Sequence, residues 1–314
     1  MISSSILEAV LSPNGDTVAL LVGTPADLTL QCLHLESGEA RTLHTSFRCS
    51  EPFMSVVWSP DGRALYYAAD DGNWFHDLWC VQAEGDPHPN QLTDYFHTNT
   101  YPVAASPNGE TLLVISNLRG ELNLRTLDLS SLAMRKITDY ATPVTAAVYS
   151  PDGSRIAYTA NGTQNPYNSD IYIMNADGFS KRKVLSTLSG AYDVVRDWDA
   201  NGRYLAVESN YEEGWQAGVF DLRVQKLRWY RYLPGNEGWA VRFSPDAAHL
   251  LVKTSTGYAV CFVEQRGPAY HELDEYPLQH ALWLDTERLL LHTAEGERLI
   301  YTLADESYAP LPLS

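Results

Sequence analysis

The chain has 314 residues, 45% hydrophobic and 19% charged, with 39 acidic against 22 basic residues and a formal net charge of −17. That length and apolar content suffice to bury a large core without a structural metal or a disulfide framework, and they exclude extensive disorder. The acidic balance argues against nucleic acid and anionic lipid as partners, since both are bound largely through Lys and Arg that displace counterions.

Taken in order, the chain repeats one unit of about forty residues. Its anchor is a Ser-Pro-Asx-Gly turn, found at Ser12–Gly15, Ser59–Gly62, Ser106–Gly109 and Ser150–Gly153. Worn copies follow at Asp199–Gly202 and Ser244–Ala247, and a shortened one at Leu284–Glu287. Pro presets the first central φ, Asx suits the second, and Gly takes the left-handed position of a three-residue hairpin. Ala247 lacks that freedom, so a different turn is expected there.

Before each anchor runs an apolar strand, ending at Leu11, Trp58, Ala105, Tyr149, Trp198, Phe243 and Trp283. Second strands are expected at 18–22, 65–68, 112–115, 156–159, 204–208, 250–253 and 289–293. Third strands follow at 28–35, 77–81, 123–127, 170–174, 216–220, 258–263 and 298–303. Short fourth strands lie near 42–43, 91–93, 136–138, 183–185, 229–233, 271–273 and 309–313. A lone meander of four strands cannot bury both faces, whereas units arranged radially cover one another. The reading is therefore a single all-β domain, residues 1–314, folded as a seven-bladed β-propeller with six blades as the alternative. Its blades span about 2–46, 52–95, 100–140, 143–187, 191–234, 238–275 and 278–314. No strand is spare for donation across the seam.

Cys32, Cys49, Cys80 and Cys261 fall in different units with no metal-ligand spacing, so they read as buried or incidental thiols. No pair among the nine histidines has metal-ligand spacing either, and neither cofactor nor metal is expected. Met1–Glu8 has no basic segment followed by an apolar run, and no stretch of about eighteen apolar residues occurs. A cytoplasmic, soluble monomer is the expectation.

The unit from Tyr149-Ser150-Pro151-Asp152-Gly153 to Asp170-Ile171-Tyr172-Ile173-Met174-Asn175-Ala176-Asp177-Gly178 resembles the WD40-like (PD40) repeat of TolB-type propellers. The same repeat occurs in the propeller domains of prolyl-oligopeptidase-like serine peptidases. Leu92-Thr93 and Ile137-Thr138, each followed by Asp-Tyr, match the Leu-Thr that closes those repeats. The resemblance is strongest in units two to four. Likeness to TolB implies a periplasmic protein-binding scaffold, although this chain shows neither the leader nor the additional N-terminal domain. Likeness to the peptidases implies a gate over a catalytic domain, but no Gly-x-Ser-x-Gly elbow occurs.

In a propeller, the loops joining strands two and three share one face with those that lead to the next blade. Here those loops carry Asp71, Asn73, Trp74, His76, Tyr95, Phe96, His97, Arg119, Tyr140, Asn165, Tyr167, Tyr192, Asp193, Tyr211, Trp215, Trp239 and His280. Aromatic anchors beside fixed charge suit a binding surface. Equally, aromatics at blade starts serve to plug the gaps between blades. Tyr211-Glu212-Glu213-Gly214-Trp215 is the densest cluster, similar in composition to the double-glutamate segment of dipeptidyl-peptidase propellers; two carboxylates with an indole suit a cation. Arg196 and Asp197 interrupt an apolar innermost strand. Asp197 is expected to pair with Arg242 of the next blade, or each to find another charge, with Arg196 facing the opposite side, towards the next blade or the channel, where it would bind an anion. The functional reading is a non-catalytic scaffold for a protein or peptide partner, with no catalytic residue. The alternatives are a lyase or hydrolase acting at the channel mouth, and a detached gating propeller of a peptidase system.

Overall fold

The computed structural model describes residues 5–49, 55–70, 72, 74–161, 168–188, 190–212, 214–264 and 270–311. Among them the strands form seven four-stranded sheets, each drawn from four consecutive strands paired in sequence order. No helix among the described residues is long and apolar enough to cross a membrane. Two compact units divide the chain: Met1–Lys136 with Glu287–Ser314, and Ile137–Thr286.

Unit 1 opens with a blade of β1 (Ile6–Leu11), β2 (Thr17–Thr24), β3 (Asp27–His34) and β4 (Ala40–Phe47). Blade two holds β5 (Val56–Trp58), β6 (Ala64–Ala69), β7 (Asp77–Gln82) and β8 (Asn90–Gln91). Blade three holds β9 (Thr100–Ala105), β10 (Thr111–Ser116), β11 (Asn123–Asp128) and β12 (Met134–Lys136). Second strands lie between two covered faces, so they read as continuous apolar runs rather than alternating ones. All six residues of β6 are accordingly buried. Blades one and two share a core that includes Leu21, Leu30, Trp58, Leu65 and Tyr67. The large residue before the turn locks them together, because Trp58 Nε1 donates to the Val10 carbonyl of the preceding blade at 2.9 Å.

Unit 2 contains blade four, with β13 (Ala146–Tyr149), β14 (Arg155–Ala160), β15 (Asp170–Asn175) and β16 (Arg182–Leu185). Blade five has β17 (Asp193–Trp198), β18 (Tyr204–Glu212), β19 (Gly214–Asp221) and β20 (Lys226–Trp229). Blade six has β21 (Gly238–Phe243), β22 (His249–Thr254), β23 (Tyr258–Phe262) and β24 (Tyr270–Leu273), and β25 (Leu278–Trp283) follows. The remaining strands, β26 (Arg288–Thr293), β27 (Arg298–Thr302) and β28 (Ser307–Pro310), belong to unit 1. First strands end at all seven positions read from the sequence.

The anchor turns depend on serine as much as on Pro, Asx and Gly. Ser150 Oγ donates to Asp152 Oδ1 at 2.6 Å and accepts the Arg155 N–H at 2.9 Å, so one hydroxyl satisfies both sides of the hairpin mouth. Ser59, Ser106 and Ser244 do the same. This explains the departure at Ala247. It adopts φ 61° and closes the same turn, donating its N–H to Ser244 O at 2.9 Å as Gly15 does to Ser12 O. The serine clasp holds the geometry, and alanine bears the left-handed strain.

Blade five departs once more from expectation, since its fourth strand is Lys226–Trp229 and not 229–233. Asp221 Oδ1 accepts the N–H groups of Arg223 and Val224 at 2.8 and 3.2 Å, and Gln225 takes φ 53°. That tight carboxylate-capped turn brings the chain back early and frees 230–233 for a connecting loop.

Candidate functional site

In unit 1 two adjacent loops expose large aromatics. Trp74, on the β6–β7 loop, is 77% exposed, and Phe96, on the β8–β9 loop, is 87% exposed. Neither loop is slack. Asp70 Oδ1 accepts the N–H groups of Gly72 and Trp74 at 2.7 and 3.0 Å, which holds Trp74 at φ 70°. Arg48 lies over the indole at 4.8 Å and reaches Asp70 at 3.7 Å, so one face of Trp74 is covered by a guanidinium. On the second loop His97, at φ 51°, is stacked between Phe75 at 4.8 Å and Phe96 at 3.8 Å. Since Phe75 adjoins Trp74 and His97 adjoins Phe96, this stack ties one loop to the other.

Beneath the rings, hydrogen bonds fix both loops to blade three. Asn99 Oδ1 accepts the His76 N–H at 2.9 Å, and Asn117 Oδ1 accepts the Asn99 N–H at 2.7 Å. His76 Nδ1 lies 3.0 Å from Asn99 Oδ1 and 3.2 Å from the Tyr101 hydroxyl, so this histidine braces the loops and leaves presentation to its neighbours. Tyr95 is half-buried, and its carbonyl accepts the Thr98 N–H at 3.2 Å. The surface is thus rigid, aromatic and strained at two non-glycine residues. Strain held by surrounding contacts is a mark of functional loops.

Unit 2 gathers the remaining sequence candidates, most of them in structural work. Asp193 is fully buried and accepts the Thr187 N–H and hydroxyl, both at 2.7 Å; burial still raises its pKa. Tyr192, half-buried, gives its N–H to Asn210 Oδ1 at 2.7 Å. Tyr140 meets the Tyr158 hydroxyl at 3.1 Å and packs with Tyr158 and Tyr172 of blade four. Tyr211 stacks on Trp229 at 5.1 Å and accepts a hydrogen bond from Arg231 at 3.1 Å. Trp215 and Trp239 are half-buried. Glu212 ends β18 in a hairpin opposite Gly214, while Glu213, like Asp71, Asn73, Asn165 and Tyr167, lies outside the described residues.

Arg196 has a carboxylate partner. It sits at a break in the β17–β18 register between Val195 and Asp197, and its guanidinium pairs with Glu208 of its own blade, Nε to Oε1 at 2.8 Å. Glu208 is 1% exposed; burial raises its pKa and the Arg196 charge opposes the rise. Asp197 accepts the Phe243 N–H from blade six at 2.8 Å. Burial raises its pKa, and Arg242 counters through its field, with no close ion pair between the two among the described residues. Glu208 could have been suspected from its charge at the end of an apolar run, Leu205-Ala206-Val207. Arg48 carried no such signal, because only the fold brings it to Trp74.

Among the described residues, no three His, Cys, Asp or Glu converge to hold a metal. The four cysteines are free thiols; burial pushes Cys32 up to about 12 and Cys80 up to about 11.

Seven blades of four antiparallel strands define a β-propeller. No family model matches the chain. Over 92 residues, 29% of its length, it is 36% identical to the Tol-Pal system protein TolB of Anaeromyxobacter sp. strain K, and that match spans 20% of the relative. An oligogalacturonate lyase in complex with manganese superposes over 98% of this chain and 89% of its own, with a TM-score of 0.72 at 17% identity. A puromycin-hydrolyzing peptidase of Mycobacterium tuberculosis covers 99% of this chain and 54% of its own, with a TM-score of 0.71 at 16% identity. At those identities the structural likeness shows the fold alone. Within the matched 92 residues, the repeat is similar to that of the TolB propeller.

Proposed function

We propose that the protein is a non-catalytic scaffold that binds a protein or peptide partner through the loops bearing Trp74 and Phe96. The observation that carries this reading is the pair of exposed aromatic side chains on two loops locked by hydrogen bonds and ring stacking. Large exposed rings cost solvation in the free protein. Held rigid, they lose little entropy when buried, which is what an interface anchor requires. The partial match to TolB, a protein of the Tol-Pal system, supports a protein partner.

Affinity capture from native extract, run in parallel with wild type and a Trp74→Ala/Phe96→Ala variant, tests the proposal. Both side chains are largely exposed, so the variant should remain folded, which its thermal unfolding checks. A stoichiometric partner retained by wild type and lost from the variant is expected, with each truncation weakening affinity by about 1–3 kcal/mol. A partner retained equally by both proteins would overturn the assignment.

A further inference from the structure

The surface charge reverses on two neighbouring blades of unit 2. Each blade joins its third and fourth strands by an outer hairpin. In blades one and two that hairpin is acidic, carrying Glu36 and Glu39, then Glu84 and Asp86, and the β27–β28 hairpin carries Asp305 and Glu306. In blades four and five the cations prevail. Lys181 leads into Arg182 and Lys183 of β16, while Arg223 lies in the hairpin before β20 and Lys226 opens that strand. Both strands are outermost in their sheets, so each has one open edge. They are also neighbours, because Arg182, Lys183 and Val184 line a cavity of 50 Å³ together with Phe220, Leu222 and Gln225.

Four of these cations are spare. Lys183 Nζ is held by Asp170 Oδ2 at 3.1 Å. Lys181, Arg182, Arg223 and Lys226 are exposed and stand in no ion pair among the described residues. The acids beside them in sequence are engaged elsewhere: Asp221 Oδ2 holds Arg203 at 2.8 Å, and Asp177 Oδ1 takes the Phe179 N–H at 2.9 Å. The same rim presents an aromatic ring. Phe179 is 70% exposed on the β15–β16 hairpin, where its carbonyl accepts the Asn175 N–H at 2.9 Å and Ser180 takes φ 57°. Like charges grouped on one rim repel one another, a cost that an anionic partner relieves.

We propose that the rim formed by β16 and β20 docks an acidic segment of a partner protein. Its carboxylates meet Lys181, Arg182, Arg223 and Lys226, and an apolar side chain packs against Phe179. A short segment is favoured over a duplex or a membrane. It meets the four cations alone, whereas a wide polyanion brings its charge within a Debye length, about 8 Å, of the acidic remainder. This partner is distinct from that of Trp74 and Phe96, around which the net charge of −17 favours a neutral or basic contact.

Fluorescence anisotropy with the full chain tests this, using a labelled peptide of alternating glutamate and leucine, about ten residues long. Saturable binding that weakens as salt is raised is expected. Arg182→Glu with Lys226→Glu should weaken it about tenfold or more. Arg63→Glu with Arg135→Glu, which changes the net charge equally at exposed positions of unit 1, should leave it unchanged. Phe179→Ser should weaken it about threefold while keeping the salt dependence. Absence of saturable binding, equal weakening by the two double variants, or tighter binding of phosphatidylserine vesicles or duplex DNA that the Arg182→Glu/Lys226→Glu variant abolishes would overturn the proposal.

Discussion

Glu208 carries a carboxylate into the interior of blade five with Arg196 as its counter-charge. Breaking a fully buried pair from one side typically costs about 3–5 kcal/mol, but the Arg196 side chain is 44% exposed, and solvent screens it. Arg196→Ala is therefore expected to lower stability by about 1–3 kcal/mol in urea unfolding, and Glu208→Gln in that background should restore most of the loss. Failure of the second change to rescue the first would mean that the arginine acts by packing alone. The pH dependence has a definite sign. Folding raises the Glu208 pKa above 4.5, so the native state binds the extra proton and stability falls as pH rises from 4.5 through the raised value. Glu208→Gln should flatten that slope. Asp152 works in the opposite sense: hydrogen bonds from Ser150, the Ser154 backbone and the Ser154 hydroxyl hold its carboxyl down to about 2, against an ordinary 3.8. Its contribution is complete above the unfolded value and is lost as pH falls through about 2. The thermal midpoints of wild type and Asp152→Asn should differ above about pH 4 and converge near pH 2.

At the scale of the element, the unit is a hairpin clasp plus a wedge. The clasp is the serine hydroxyl within the serine-headed anchor turns, and in blade five the Asp199 carboxylate accepts the Tyr204 N–H in its place. The wedge is the large residue that precedes it, as where Trp58 fills the junction of two blades and donates across it. Trp58→Phe keeps the ring but leaves the Val10 carbonyl without its donor and opens a gap, so it should cost about 1–3 kcal/mol by thermal or urea unfolding. Strand order and the ends of the first strands were legible because Pro, Asx and Gly mark the turns, and the apolar runs between them are bounded. The fourth strand of blade five was not legible, because the Asp221 cap that shortens its turn is a side-chain choice invisible to hydrophobic period. The partner of Arg196 was not legible either, since the register break beside it obscures which residue of β18 its side chain meets. Among the site candidates, the sequence marked Trp74 and His97 by loop position. It could not distinguish them from Tyr140 or Asp193, whose burial is decided by neighbouring blades.

At the scale of the whole molecule, a propeller supplies stiff blades and lets its loops carry specificity. In this chain the loops bearing Trp74 and Phe96 are held by left-handed backbone at Trp74 and His97, a buried aspartate capping one loop, and a three-ring stack joining it to the other. Such preorganisation stabilises nothing obvious in the isolated protein, and an interface benefits from it directly. The net charge of −17 sets the background, favouring partners that are neutral or basic around the aromatic contact. The most direct test is site-specific photo-crosslinking in the source cell, with a benzophenone amino acid placed at Phe96 and, as a control, at the exposed Val224 of blade five. The account predicts one discrete protein adduct from position 96, absent from position 224 and lost when Trp74→Ala is introduced. Equal adducts at both positions, or an adduct at 96 indifferent to Trp74, would contradict it.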